Sequence, residues 1–186
     1  MNFLKKKIKI KLFKKKLKTN LLINKKNLLI DKKNKIIYAI ICNKNNKKII
    51  KKLAKKINYK PIMFHAYDIN HNFVYLIKII MNIGSNFAIV ALDSIPNIKE
   101  KNILINQLIK NNKEIIEINL KQMKKISGNI LEILSKDKEK KIVMLESAYN
   151  SLNYKQIKKL SKYGDLISIN INNIKITNKG KIYNII

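Results

Sequence analysis

Two hydrophobic periods alternate along this chain, and that alternation limits what it can fold into more than any other feature. From Glu114 to Ile169 the reading runs strand, turn, strand, helix, strand. Glu114–Asn119 (EIIEIN) is an apolar run of strand length, Gly128–Asn129 punctuates it, and Asn129–Leu134 is a second run. Asp137–Lys141 reads as a charged turn and Ile142–Leu145 (IVML) as a buried-type strand. Ala148–Tyr163 has helical spacing, with Leu152, Ile157 and Leu160 on one face and Lys155, Lys158 and Lys159 on the other. Gly164 stands at the C-cap position and Asp165–Ile169 is the next strand. Such a pattern predicts a mixed α/β fold and excludes a helical bundle or a β-sandwich.

The same grammar extends upstream. Asn27–Asp31 and Lys35–Cys42, joined by Lys32–Lys33–Asn34, read as a β-hairpin. Asn46–Ile57 is an amphipathic helix with Ile49, Ile50, Leu53 and Ile57 inward and lysines outward. Pro61–Tyr67 is extended, Asp68–Asn72 (DINHN) is a turn, and Phe73–Ile80 and Asn86–Leu92 are strands. Ile98–Asn111 is a helix with Ile103, Leu104, Leu108 and Ile109 inward. A unit of one helix with two or three strands thus recurs around residues 27–66, 73–118 and 129–169. Beyond Asn172 the pattern decays, leaving one candidate strand at Lys181–Ile186.

The length of 186 residues suits one core. Three segments are expected: a basic, poorly ordered stretch over 1–23, an α/β domain over 24–171, and a degenerate tail over 172–186. The net charge is +30, every basic residue is lysine, and tryptophan is absent. Lysine, asparagine and isoleucine all have A/T-rich codons, so a biased genome accounts for the composition. The resulting field attracts nucleic acid or anionic lipid without selectivity. The single cysteine, Cys42, excludes an intrachain disulfide and a cysteine zinc cluster. No apolar run reaches the ~18 residues of a membrane span, and the first apolar stretch lacks a signal-peptide core and cleavage site. A cytoplasmic protein without metal or cofactor is the expectation.

The runs IEINLKQMKKISGNILEI and IVMLESAYNSLNYKQIKKLSKYGDLI, with the upstream stretch from NLLIDKKNKIIYAII to NFAIVALDSI, resemble the amidinotransferase-type hydrolases of the citrulline-utilisation branch. These belong to the guanidino-group-modifying, arginine-deiminase-like superfamily. The resemblance covers roughly residues 24–171 and rests on colinear order. It implies a partial α/β-propeller (pentein-like) of ββαβ modules around a pseudo-fivefold axis, with the N-terminal blades missing. It further implies a guanidino or ureido small molecule as ligand, and chemistry at its central carbon by a cysteine thiolate, a histidine and carboxylates.

Carried over position by position, that resemblance leaves the chemistry incomplete. The segment that would hold the nucleophile reads NNIKITNKGKIYNII, without cysteine. Cys42 falls in a different module, where the pattern has serine, and reads as a buried small apolar residue. Leu76 stands in the position of the histidine; His65 and His71 read as turn or surface residues. Lys44 replaces an arginine and lacks its bidentate fork, and LLINKKN offers no carboxylate. Gly84, Asp93, Gln122, Gly128, Asn129, Ala148 and Tyr149 match the pattern. Of these, Asp93, Gln122, Gly128 and Asn129 either line the substrate cleft or serve as caps and turns. The expected function is therefore that of a truncated, catalytically inactive hydrolase relative. The alternatives are activity restored by a complementing fragment or homo-oligomer, and a basic protein that binds nucleic acid or anionic membrane nonspecifically.

Overall fold

Asp31 sets the first turn. In the computed structural model its carboxylate accepts hydrogen bonds from the backbone and side-chain amides of Asn34 (3.1 and 2.8 Å), and Lys35 adopts a left-handed φ of 54°. The structure describes residues 25–126 and 130–170, together with the backbone of strands Ile174–Ile176 and Ile182–Asn184. The turn joins β1 (Leu28–Asp31) to β2 (Ile36–Ile40), antiparallel with Leu28 opposite Ala39. Helix α1 (Lys44–Ile57) then crosses over to β3 (Lys60–Phe64), which pairs parallel to β2.

This ββαβ unit occurs three times. The second contains α2 (Ile77–Ile80), β4 (Met81–Ile83), β5 (Phe87–Val90), α3 (Ile98–Lys110) and β6 (Glu114–Glu117). β4 pairs antiparallel to β5, and β5 parallel to β6. The third contains α4 (Leu120–Ile126), β7 (Ile130–Leu134), β8 (Lys140–Leu145), α5 (Glu146–Tyr149), α6 (Tyr154–Leu160) and β9 (Asp165–Ile169), with the same pairing. β10 (Ile174–Ile176) and β11 (Ile182–Asn184) form an antiparallel hairpin. The three units agree with the recurrence in the sequence; residues 1–24, expected to be poorly ordered, lie outside the described residues.

Both faces of the first sheet are covered, which is why all five residues of β2 are buried. Ile37 and Ala39 lie under Ile50 and Ala54 of α1. Ile36, Tyr38 and Ile40 join Ile62, Phe64, Phe87, Ile89 and Ile116 in the main core. No helix among the described residues is long and apolar enough to cross a membrane.

Four expectations change. Phe73–Ile80 is not a strand: Tyr67 and Phe73 close the preceding turn by an isolated bridge and an edge-to-face ring contact of 5.7 Å. Ile77 and Ile80 are fully buried at i, i+3 on α2, and the strand begins only at Met81. Ala148–Tyr163 is two helices, because Asn153 and Gln156 form a capping box that starts α6 afresh. α6 ends at Leu160 with Ser161 as its C-cap, so Gly164 caps no helix; it passes so close to Lys140 that an added Cβ would lie 2.5 Å from the Lys140 carbonyl oxygen. On α3, Ile103 and Ile109 face out while Leu104, Gln107 and Leu108 face in. Gln107 is admitted to the interior because Lys60 Nζ donates to its Oε1 at 2.6 Å. Helix α4, finally, was not anticipated.

Candidate functional site

Parallel pairing within each sheet places several of the candidate residues after the same ends of the strands, whereas Gly84 lies at the opposite end. Cys42 follows β2 and His65 follows β3; Leu76 flanks α2; Asp93 follows β5; Gln122 lies in α4 just after β6. Hydrogen bonds between modules draw these ends together. Tyr67 N donates to Ser94 O (2.8 Å), and Gln156 Nε2 donates to Glu117 O (2.7 Å).

His65 is a positioned side chain. Its backbone N–H donates to Glu100 Oε2 (2.8 Å) and its Nδ1 lies 3.0 Å from Glu100 Oε1. Glu100 is the third residue of α3, whose N-cap is Asn97. With 40% of its side chain exposed, His65 lies at the surface with its orientation set by Glu100. His71, in contrast, is exposed in the DINHN turn with φ 59°.

Cys42 is half-buried, not enclosed as expected. Burial pushes its thiol above the ordinary value, although Asn27 Nδ2 donates to Sγ at 3.2 Å and opposes that shift. Strands β2 and β3 end side by side, with Ile41 N donating to Phe64 O (2.9 Å). The thiol nevertheless leans to Asn27, before β1, while the imidazole is held by Glu100 on the β3 side.

Gln122 is nearly buried, and both of its N–H bonds are committed to the scaffold. They go to Ser151 O (2.6 Å) and Gln156 Oε1 (2.8 Å), while Gln156 Nε2 returns a bond to Gln122 Oε1 (3.1 Å). The two amides thus form a reciprocal pair between α4 and α6, and each oxygen also caps its own helix through Asn119 N or Asn153 N. Leu76 is half-buried and apolar, whereas Asp93 and Lys44 are exposed. Gly128 and Asn129 lie outside the described residues. A groove of about 440 Å³ separates α3 from α6, floored by Leu92, Ile105, Ile115 and Ile116 with Glu117 and Lys159 at its rim. Among the described residues no three His, Cys, Asp or Glu side chains converge as metal ligands.

The family described as N,N dimethylarginine dimethylhydrolase, eukaryotic, matches residues 3–182. The chain belongs to that family. It thereby falls in the guanidino-modifying pentein superfamily. Its fold is similar to that of the N-terminal domain of ArgZ, an arginine dihydrolase from the ornithine–ammonia cycle in cyanobacteria. The substrate-bound domain aligns with a TM-score of 0.57 at 10% identity, over 79% of this chain and 49% of that one. The apo full-length ArgZ gives a TM-score of 0.57 at 8% identity, covering 79% of this chain and 21% of that one. The dimethylhydrolase-family chain therefore spans about half the length of the ArgZ N-terminal domain. No curated protein matches it.

Polar links that sequence reading had missed hold this dimethylhydrolase-family fold together at the opposite strand ends. Lys113 Nζ is 3.4 Å from Asp31 Oδ2 and donates to Gly84 O (2.7 Å) and Ser85 O (3.2 Å). The two charged side chains are only 2% and 5% exposed. Ser85 N and Oγ donate in turn to Glu132 of the third module. Tyr163 donates to Glu114 (2.7 Å); burial, with Glu114 adding to it, pushes the Tyr163 hydroxyl up to about 12.

Proposed function

We propose that this chain retains the scaffold of a guanidino-group hydrolase and, by itself, does not hydrolyse methylated arginine, arginine or citrulline. The observation that carries this reading is that the thiol and the oriented imidazole are engaged by different partners, Asn27 and Glu100. Attack on a resonance-stabilised guanidino carbon needs a thiolate activated by a neighbouring base. Here the Cys42 thiol is raised by burial and bonded to Asn27, while His65 is turned to Glu100. Leu76, at the position matching the family's histidine, carries no proton. Loss of a nucleophile alone costs on the order of 10⁶ in rate. The test is ammonia or citrulline release by the purified chain from each of the three substrates, with background-level release as the expected result.

A second reading, activity by assembly with another polypeptide, draws on the third sheet. Each internal joint seats the next crossover helix at both ends of the preceding third strand. For β3 the contacts are Lys60–Gln107 and His65–Glu100; for β6 they are Glu114–Tyr163 and Glu117–Gln156. On the third sheet Leu131, Ile133 and Ile167, which share a face, are 55%, 45% and 39% exposed. That face has the character of such a seat. A polypeptide that restores turnover with the native chain but not with Leu131→Asp would favour this second reading.

A further inference from the structure

Helix α1 reads KNNKKIIKKLAKKI and carries Lys44, Lys47, Lys48, Lys51, Lys52, Lys55 and Lys56 without one acidic residue. All seven lysines are exposed, and the buried side of the helix is Asn46, Ile50 and Ala54. Among the described residues no carboxylate pairs with Lys44, Lys47, Lys48, Lys51, Lys52 or Lys55. The carboxylates that pair with lysine, Asp31, Glu114, Glu132, Glu139 and Asp165, instead engage Lys113, Lys140, Lys141, Lys159 and Lys162. Five like-charged pairs sit at i, i+4 along α1, and Lys44 opposes the positive end of the helix dipole. These charges weaken the isolated helix, so its place in the fold depends on Ile50 and Ala54 packing against Ile37 and Ala39.

The lysines are also unevenly distributed. Residues 26–66 hold twelve lysines and one acid, which is the buried Asp31, whereas residues 67–118 hold five of each. Residues 119–170 hold eleven lysines and five acids, so among the three modules the excess of lysine over acid is greatest in the first.

We infer that the outer face of α1 is a binding surface for the phosphate backbone of nucleic acid. The helix presents about 21 Å of uninterrupted positive charge, against a phosphate every ~3.4 Å along each strand of a duplex. An anionic membrane fits less well. A helix that lies in the lipid interface buries its apolar side there, and the apolar side of α1 is already taken by β2. Lysine ammonium groups neutralise phosphates without the fork that reads base edges, so the contact is independent of sequence.

The test is the anisotropy of a labelled 20-base-pair duplex with the full chain, measured over a salt series. One variant carries Lys47→Gln, Lys48→Gln, Lys51→Gln and Lys52→Gln. A charge-matched control carries Lys121→Gln, Lys136→Gln, Lys155→Gln and Lys158→Gln on the third module. Both keep the lysines before residue 26, so that contribution is common to the two. The α1 variant is expected to bind at least about tenfold more weakly and to lower the slope of log K against log salt by about three; the control should change affinity less than about threefold. An arginine version of the α1 quadruple, which keeps charge and helix, should bind as the native chain does. Equal losses in the α1 variant and the control would overturn the inference, as would weak binding by the arginine version. Tighter binding to phosphatidylserine vesicles than to the duplex, lost in the α1 variant, would overturn it in favour of a membrane.

Discussion

Lys113 and Asp31 show how much a single pair of residues decides. Neither is conspicuous in the sequence; they meet only because the first two modules pack, and there they are almost completely buried. Truncating one partner leaves the other charge buried and unpaired. Lys113→Ala should therefore lower the unfolding free energy by roughly 3–5 kcal/mol in urea titrations. Burial alone would raise the Asp31 carboxyl, but hydrogen bonds from Asn34 and the Lys113 ammonium outweigh it and hold it below its ordinary 3.8. The folded chain then takes up this proton less readily than the unfolded chain. The stabilisation is complete above about pH 4 and is lost as pH falls through the folded value. Thermal melts should show that acid-side loss, and Asp31→Asn should flatten it. For Cys42 the shift is upward, so iodoacetamide should alkylate it more slowly at pH 8 than a free cysteine peptide. Asn27→Ala should slow the reaction further, whereas faster alkylation than the peptide would show an activated thiolate. The residue type at Cys42 and Leu76 was legible from sequence; the direction in which Cys42 and His65 turn was not, because strand partners and α3 set it.

At the scale of elements, the three ββαβ units could be read because strand and helix periods alternate cleanly through them. The misread elements share a physical cause: a run of apolar residues does not state its own period when it is short. Ile77 and Ile80 satisfy a helical turn as readily as a strand, and Asn153 with Gln156 interrupts what looked like one helix. The capping glutamines also do more than start helices, since Gln122 and Gln156 join α4 to α6. Gln122→Ala and Gln156→Ala should each destabilise the fold by about 1–3 kcal/mol by orphaning buried partners. In a double-mutant cycle they should couple by at least about 0.5 kcal/mol; additive effects would mean that the two amides act independently. Gly84 is a position of close approach in the second module. A Cβ there would run into the Phe87 ring and come within 2.7 Å of Glu132 Oε2. Gly84→Ala should accordingly cost about 1–3 kcal/mol, read as a lowered urea midpoint.

At the scale of the molecule, the modules are joined by side chains at both ends of their third strands, and one of those ends carries the candidate residues Cys42, His65, Asp93 and Gln122. The family and its module type could be recognised from colinear runs of residues, as the match over residues 3–182 shows. The arrangement of the site could not, because it depends on how one module's crossover helix seats on its neighbour. His65 is oriented by Glu100 across such a joint, and Gln122 is occupied across another. The central claim is that this scaffold, alone, lacks the chemistry. Its most direct measurement is turnover of N,N-dimethylarginine, followed as citrulline formed, by the native chain and by Cys42→Ser prepared side by side. The account predicts that both remain at background and cannot be told apart. Turnover by the native chain that disappears in Cys42→Ser would contradict it, because Cys42 would then be a working nucleophile despite a thiol raised by burial and bonded to Asn27.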